Sequence, residues 1–269
     1  MGKSLLDQSK NSPIAVISIE NEIMESRKII EMLLSAEKEK SIKAIILRID
    51  SPGGAVAPTQ EIYEEVKRID QKVKPVYASF GTVAASGGYY IGAACRKIWA
   101  NAGTLTGSIG VIMQMADLSE IFKWAKFKQE TIKAGRFKDI GNPSRPMTDE
   151  ERMFLTELLA GTHKQFISDI SSVRKDRLKK DINELAQGQI FHGSEAKEVG
   201  LVDEVGSLWQ AGRAIHKELK IKEEFSLRFL KPQKTKFSLS EFMQETEDTI
   251  SFIKSKLETK SAPAYLFQL

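Results

Sequence analysis

The run Lys43 to Asp50 (KAIILRID) is apolar from Ala44 to Ile49 with only Arg48 interrupting. A strand on a half-solvated sheet alternates apolar and polar residues. One that is apolar at consecutive positions is covered on both faces, the pattern of a parallel sheet between helix layers. The run ends in Ser51-Pro52-Gly53-Gly54, a strong turn signal. Before it, Ile14 to Glu20 (IAVISIE) is a β-branched first strand, and Glu25 to Lys40 places Ile29, Ile30, Leu33 and Leu34 at helical spacing. After it, a helix from about Thr59 to Lys72 puts Ile62, Val66 and Ile69 on one face, and Pro75 to Phe80 is a third strand. Strand and helix alternate in units of about 30 residues, which predicts an α/β fold with a largely parallel sheet.

Beyond Gly81 the pattern predicts a helix of small residues, a strand at Lys97 to Asn101 and another at Gly110 to Met115. A helix around Leu118 to Ala125 then leads into a strand at Lys128 to Lys133. Thr148, with Asp149 and Glu150 in the first turn, opens a long helix to about Arg174 that Gly161 is expected to interrupt. Gln189 to Leu219 reads strand, short helix, strand, helix. The chain then changes character: Lys220 to Lys236 is basic, Phe237 to Lys260 is a charged amphipathic helix, and SAPAYLFQL ends it. These shifts divide the chain into an N-terminal tail (1–12), one domain (13–219) and a C-terminal extension (220–269).

Composition removes several function classes. Forty basic against 36 acidic residues leave a net charge of +4, too small and too scattered to argue for nucleic acid. The single cysteine, Cys95, excludes an internal disulfide framework and a cysteine-rich zinc site, and its apolar surroundings point to buried packing. No run approaches the ~18 consecutive apolar residues of a membrane span. The N-terminus lacks the apolar stretch of a secretory signal, and Leu6 stands where a myristoylation signal needs Ser or Thr. As written, the chain reads as soluble.

The chemistry concentrates in Gly81 to Gly110, which is dense in Gly, Ala, Ser and Thr. Ser86 sits where an apolar strand gives way to a helix. Small residues there permit the unusual backbone angles and close approach that a reactive-serine turn needs, and equally permit tight helix packing. An activated serine requires a base and amides that receive an oxyanion. Of the three histidines, His163 lies mid-helix, His216 lies in a charged helix, and only His192 follows a strand near a plausible cleft. None accompanies a Ser-His-Asp pattern, and A-A-S-G-G around Ser86 is no G-x-S-x-G elbow. The other base type is lysine, which acts only where burial removes its charge. Lys138 lies in the turn-rich run Ala134 to Pro143, and residue physics alone scarcely separates it from Lys133.

Four motifs in this order resemble the signal peptide peptidase A family of serine peptidases. They are Asp50 to Gly54 (DSPGG), Ser86 to Tyr90 (SGGYY), Thr106 to Val111 (TGSIGV) and Gly135 to Gly141 (GRFKDIG). A fifth, Gly193 to Gly206 (GSEAKEVGLVDEVG), follows the long helix as it does in that family, and the resemblance covers about Ile14 to Leu219. SPGG alone also occurs in Clp protease and crotonase folds; the downstream G-x-x-K-D-x-G makes the combination specific.

The resemblance implies a Clp protease/crotonase-like fold and a Ser-Lys dyad with Ser86 as nucleophile and Lys138 as general base. It assigns Ser108 to orienting the lysine and the backbone N–H groups of Gly87, Gly54 or Gly53 to the oxyanion hole. It implies no metal or organic cofactor, homo-oligomers with shared active sites, and remnant signal peptides as substrates. It also implies membrane association with an extracytoplasmic site, although this chain shows no transmembrane segment. Ala262-Pro263-Ala264 has the small-x-small spacing of a cleavage region, so the tail is a candidate product or self-substrate. Rival readings are a crotonase-type acyl-CoA enzyme, a phage-type maturation peptidase and a non-enzymatic, membrane-organising oligomer.

Overall fold

The computed structural model of the chain describes residues 12–232. In chain order the strands are β1 (Ile14–Glu20), β2 (Ala44–Ser51), β3 (Val76–Ala85), β4 (Ile98–Ala100), β5 (Leu105–Gly107), β6 (Ile190–His192), β7 (Glu204–Val205) and β8 (Arg228–Phe229). The helices are α1 (Arg27–Lys38), α2 (Val56–Lys72), α3 (Gly87–Ala93), α4 (Ser119–Trp124), α5 (Asp149–Arg174), α6 (Ile182–Leu185), α7 (Gly193–Glu198) and α8 (Leu208–Glu218). The sheet order is β6-β5-β3-β2-β1-β8, with β4 on the other stretch of β3 and β7 beside β4. Every pairing is parallel except β5 with β6. This is the mixed α/β architecture that the alternating pattern predicts.

Period-two geometry explains the apolar run at β2. Ile45, Leu47 and Ile49 turn to one face, where they join Leu33 of α1 and Ile62, Tyr63, Val66 and Ile69 of α2. Ala44 and Ile46 turn to the other, under Ala211 and Ile215 of α8. Both sets are fully buried, so a polar residue at any of these positions would need its own hydrogen-bond partner. Leu227 joins the second core, and Ala15 and Val16 of β1 pair with Arg228 and Phe229, so residues 227–229 extend the sheet edge. The amphipathic stretch from Phe237 and the Ala262-Pro263-Ala264 tail lie outside the described residues, as does most of the N-terminal tail.

Several expected elements differ. Residues 110–115 and 128–133 are not strands. They have no neighbouring strand to complete a ladder, and Ile112 and Ile132 are 80% and 96% exposed, so their apolar pattern marks a surface. Gly161 does not interrupt α5: a side chain there would meet nothing within 4 Å, and the helix runs 26 residues. A capping box starts it, with the Glu151 N–H donating to Thr148 Oγ1 and the Thr148 N–H to the Glu151 carboxylate.

The turn Gly200 to Asp203, part of the fifth motif, is locked from three directions. Arg174, at the end of α5 and 0% exposed, donates to both Asp203 oxygens (2.8 and 3.2 Å) and to the Gly200 carbonyl (2.9 Å). Asp203 also accepts the Ile98 N–H of β4 at 2.7 Å, and the Tyr89 hydroxyl of α3 donates to the Leu201 carbonyl at 3.0 Å. Removing one member of a buried ion pair strands the other charge, at a cost of about 3–5 kcal/mol. Asp203→Ala is therefore expected to lower the unfolding free energy by that order, read as a lower denaturant midpoint. An unchanged midpoint would mean that Arg174 finds water once its partner is gone.

Candidate active site

The site begins with a break in the sheet. The first half of β3 pairs with β4 through Ala78 and Ser79, and its last residues, Val83 to Ala85, pair with β5. Between them the register with β2 shifts, and Asp50 fills the gap: its Oδ1 accepts the Val83 N–H at 3.0 Å. Gly81 leaves room for that carboxylate, since a Cβ there would lie 2.5 Å from it. The strand thus continues past the point where the sequence pattern suggests an end. It delivers Ser86 to the carboxyl edge of a parallel sheet, where α/β folds place their ligands.

Ser86 lies between β3 and α3 with φ 50 and ψ −118, a region that costs a non-glycine residue about 1–3 kcal/mol. Its N–H donates to the Gly107 carbonyl at 2.9 Å and its carbonyl accepts the Tyr90 N–H at 2.9 Å, so both sides of the strained residue are pinned. The side chain does not cap α3. Ala85 and Gly107 are the last partners of the β3–β5 ladder, so Ser86 and Ser108 follow it side by side. Ser108 repeats the positive φ at 49, and its N–H donates to the Gln189 carbonyl at 2.8 Å.

The SPGG turn closes on this pair. Gly53 has φ +111, and a Cβ on it would lie 2.8 Å from the Gly87 nitrogen and 2.9 Å from the Ser86 Cβ. The three glycine amides differ. Gly53 N–H donates to Ser51 Oγ at 3.2 Å and is already used. Gly54 bridges to Ile23, but that bridge uses the Gly53 carbonyl and the Ala55 N–H on either side and leaves the Gly54 amide out. Gly87 is the first residue of α3, where an N–H has no intrahelical acceptor.

Gly54, Ser86, Gly87 and Ser108 line one cleft of about 400 Å³, walled by Val56, Tyr90, Val111 and Phe166. Tyr90, one turn after Ser86, is held by its hydroxyl on the Asp169 carboxylate, by the Tyr63 ring at 4.5 Å and by Phe166 edge-on at 4.7 Å. Burial, then Asp169, pushes its hydroxyl pKa up, so it stays a neutral donor. Tyr90 stands in the SGGYY motif, whereas nothing in the sequence marked Phe166 and Asp169 as neighbours of the site.

Lys138 is elsewhere. It is exposed and is not among the residues that line the cleft. Its loop is fastened to the start of α5: Phe137 stacks on Phe154 at 4.8 Å, Arg136 pairs with Glu150 at 2.6 Å, and Arg145 joins Asp139 to Glu151. The cleft meets α5 at Thr162 and Phe166, about 12–24 Å further along the axis at 1.5 Å per residue. Lys133 is occupied with the Asp139 carboxylate and the Arg136 carbonyl (2.9 Å). No histidine lines the cleft: His163 has a buried Nε2 without a hydrogen bond, His192 is exposed, and His216 Nε2 contacts the Glu223 carbonyl at 2.8 Å. Burial pushes the Cys95 thiol well up, as packing rather than reactivity requires. Among the described residues no helix is long and apolar enough to cross a membrane.

The chain matches the model of peptidase family S49 over residues 68–222 and that of Clp protease over residues 5–118. It is 41% identical over 182 residues to a Synechocystis protein provisionally named a protease (68% of this chain, 65% of that one). It is 37% identical over 187 residues to the chloroplastic serine protease SPPA of Arabidopsis thaliana (69% and 27%). It is 34% identical over 189 residues to an Enterococcus faecium protein provisionally named signal peptide peptidase SppA (70% and 55%). The chain thus spans less than two thirds of the length of these relatives. Among solved structures, a membrane-bound stomatin-specific protease, 1510-N, shares the fold with a TM-score of 0.54 at 16% identity, over 83% of this chain and 99% of that one.

The ion cluster beside Lys138 has a definite pH signature. Hydrogen bonds from Arg145, with Lys133 second, hold the Asp139 carboxyl at about 2 instead of 3.8. Arg145, with the Thr148 N–H second, holds Glu151 at about 2 instead of 4.5. As pH falls the unfolded chain takes up these protons first. The stabilisation is therefore complete above about pH 4.5 and lost on the way down to about pH 2. Denaturant midpoints near neutral pH and at about pH 3 should fall more steeply for the native chain than for Arg145→Gln. Equal slopes would remove the cluster from the acid response.

Proposed function

The chain belongs to peptidase family S49, and from that premise we propose that it is a serine endopeptidase in which Ser86 is the nucleophile and Lys138 the general base. The observation that carries the reading is the convergence of Ser86, Ser108 and the Gly54 and Gly87 amides on one cleft. Ser86 Oγ attacks the peptide carbonyl while the neutral amine of Lys138 takes its proton. The carbonyl oxygen gains the negative charge and rests on the Gly87 and Gly54 N–H groups. Lys138 then passes the proton to the leaving amine, leaving an acyl ester on Ser86. Water, deprotonated by the same amine, hydrolyses that ester. Gly53 is the poorer oxyanion donor because its amide already serves Ser51. Ser108 would accept or donate a hydrogen bond at the lysine and so orient it.

Lys138 reaches Ser86 from a second copy of the chain in this reading. Support comes from the anchoring of its loop far along α5 from the cleft. The same segment also exposes Ile112, Trp124 (85%) and Ile132, apolar groups that a monomer rarely leaves in water. The substrate is an extended apolar peptide with small or aliphatic side chains, of which remnant signal peptides at a membrane are the family's example. Gly110, Val111 and Ile112 line the cleft without a strand partner and offer an edge to which such a peptide could add.

Ser86→Ala and Lys138→Ala are each expected to lower peptide turnover by at least about 10³-fold with unchanged melting. A fluorophosphonate should modify the native chain at Ser86, located by peptide mapping. Co-assembled Ser86→Ala and Lys138→Ala chains should regain part of the activity. Normal turnover by Ser86→Ala would refute the nucleophile, and complete failure to complement would place both groups in one subunit.

A further inference from the structure

A general base must be held to within fractions of an ångström, and a lysine carries four rotatable bonds on whatever backbone supports it. In this chain the residues on both sides of Lys138 are tied down. Phe137 is clamped between the Phe154 ring and the Arg136 guanidinium, which lies 4.7 Å above it. Asp139 is clamped by Arg145, whose Nε donates to its carboxylate at 3.0 Å and whose Nη2 donates to its carbonyl at 3.2 Å. Arg145 also donates to both Glu151 oxygens (2.9 and 2.5 Å) and to the Pro146 carbonyl (3.1 Å). All five of its N–H groups are thus used. Glu151 is the capping-box residue of α5, the helix that carries Thr162 and Phe166 into the Ser86 cleft.

Resting on the reading of Lys138 as the base, we propose that Arg145 is its positioning residue. It joins the backbone immediately after Lys138 to the first turn of α5, so the lysine's placement is referenced to the helix that walls a cleft. The five bonds to two carboxylates and two carbonyls need a planar five-donor head; an ammonium has three donors and no fork. The clamp acts through Asp139 and Glu151 and touches neither substrate nor Ser86. Loosening it should misplace the amine without altering peptide binding.

The test uses the full chain and a fluorogenic apolar peptide. Arg145→Gln should lower kcat by about 10- to 100-fold, the cost of a displacement of about an ångström, with KM within about twofold and the assembly intact by sedimentation. Arg145→Lys should fall between the two, and Glu151→Gln should behave like Arg145→Gln. In a Lys138→Ala background Arg145→Gln should cost nothing further, because residues acting as a unit are non-additive. An unchanged kcat for Arg145→Gln, an additive loss in the double variant, or dissociation of the assembly would each overturn the proposal while leaving the base reading standing. Full turnover by Lys138→Ala would instead overturn the base reading, and the clamp's role with it.

Discussion

The structure turns on the backbone of one residue. Ser86 at φ 50 and ψ −118 cannot hold that conformation by itself, and the surrounding chain is arranged to enforce it. Its N–H is fixed by the last rung toward β5 and its carbonyl by the first turn of α3. A side chain at Gly53 would strike it. These restraints exist only because β3 leaves β4 and joins β5, and that swerve exists only because Asp50 supplies the acceptor which the broken ladder withholds from Val83. DSPGG and SGG are therefore one structural statement made at two places in the chain. The first motif creates the bend that the second exploits.

Helix α5 plays the corresponding part for the rest of the site. Its far end is sunk into the fold by the fully buried Arg174, its middle walls the cleft with Phe166, and its first turns carry the loop of Lys138. One rod thus carries the Lys138 loop at its start and lines the Ser86 cleft further along. The proposed reading uses this separation.

How much of this is legible in residues alone follows from the range of each interaction. β1 reads to the residue, Ile14 to Glu20, because a run of buried apolar residues has a local signature. The extension of β3 through Gly81 to Ala85 does not, since glycine and alanine are poor strand formers and the pairing comes from Asp50 and β5. The expected strands at 110–115 and 128–133 show the opposite error: segments read as strands that have no ladder to join. Ser86, Ser108, Gly54 and Gly87 sit in recognisable motifs, and they meet in one cleft. Phe166, Asp169 and Arg145 do not, because their roles depend on where α5 passes, and no local pattern encodes that.

A lysine acts as a base only where water is held away from it. In the single chain Lys138 is exposed, and Ile112, Trp124 and Ile132, from the stretch of chain before it, are exposed as well. The conformation of Ser86 is set in advance by backbone hydrogen bonds within the chain, which need no partner. As the proposed base, Lys138 needs a dry setting, which the uncovered apolar groups Ile112, Trp124 and Ile132 would help to supply. In the proposed reading, burial of that surface against another copy would do two things at once. It would remove apolar area from water, which favours association, and it would exclude water around the amine, which favours its neutral form. Assembly and activation would then share one driving force, and the strained serine would stay idle until the chain is no longer alone.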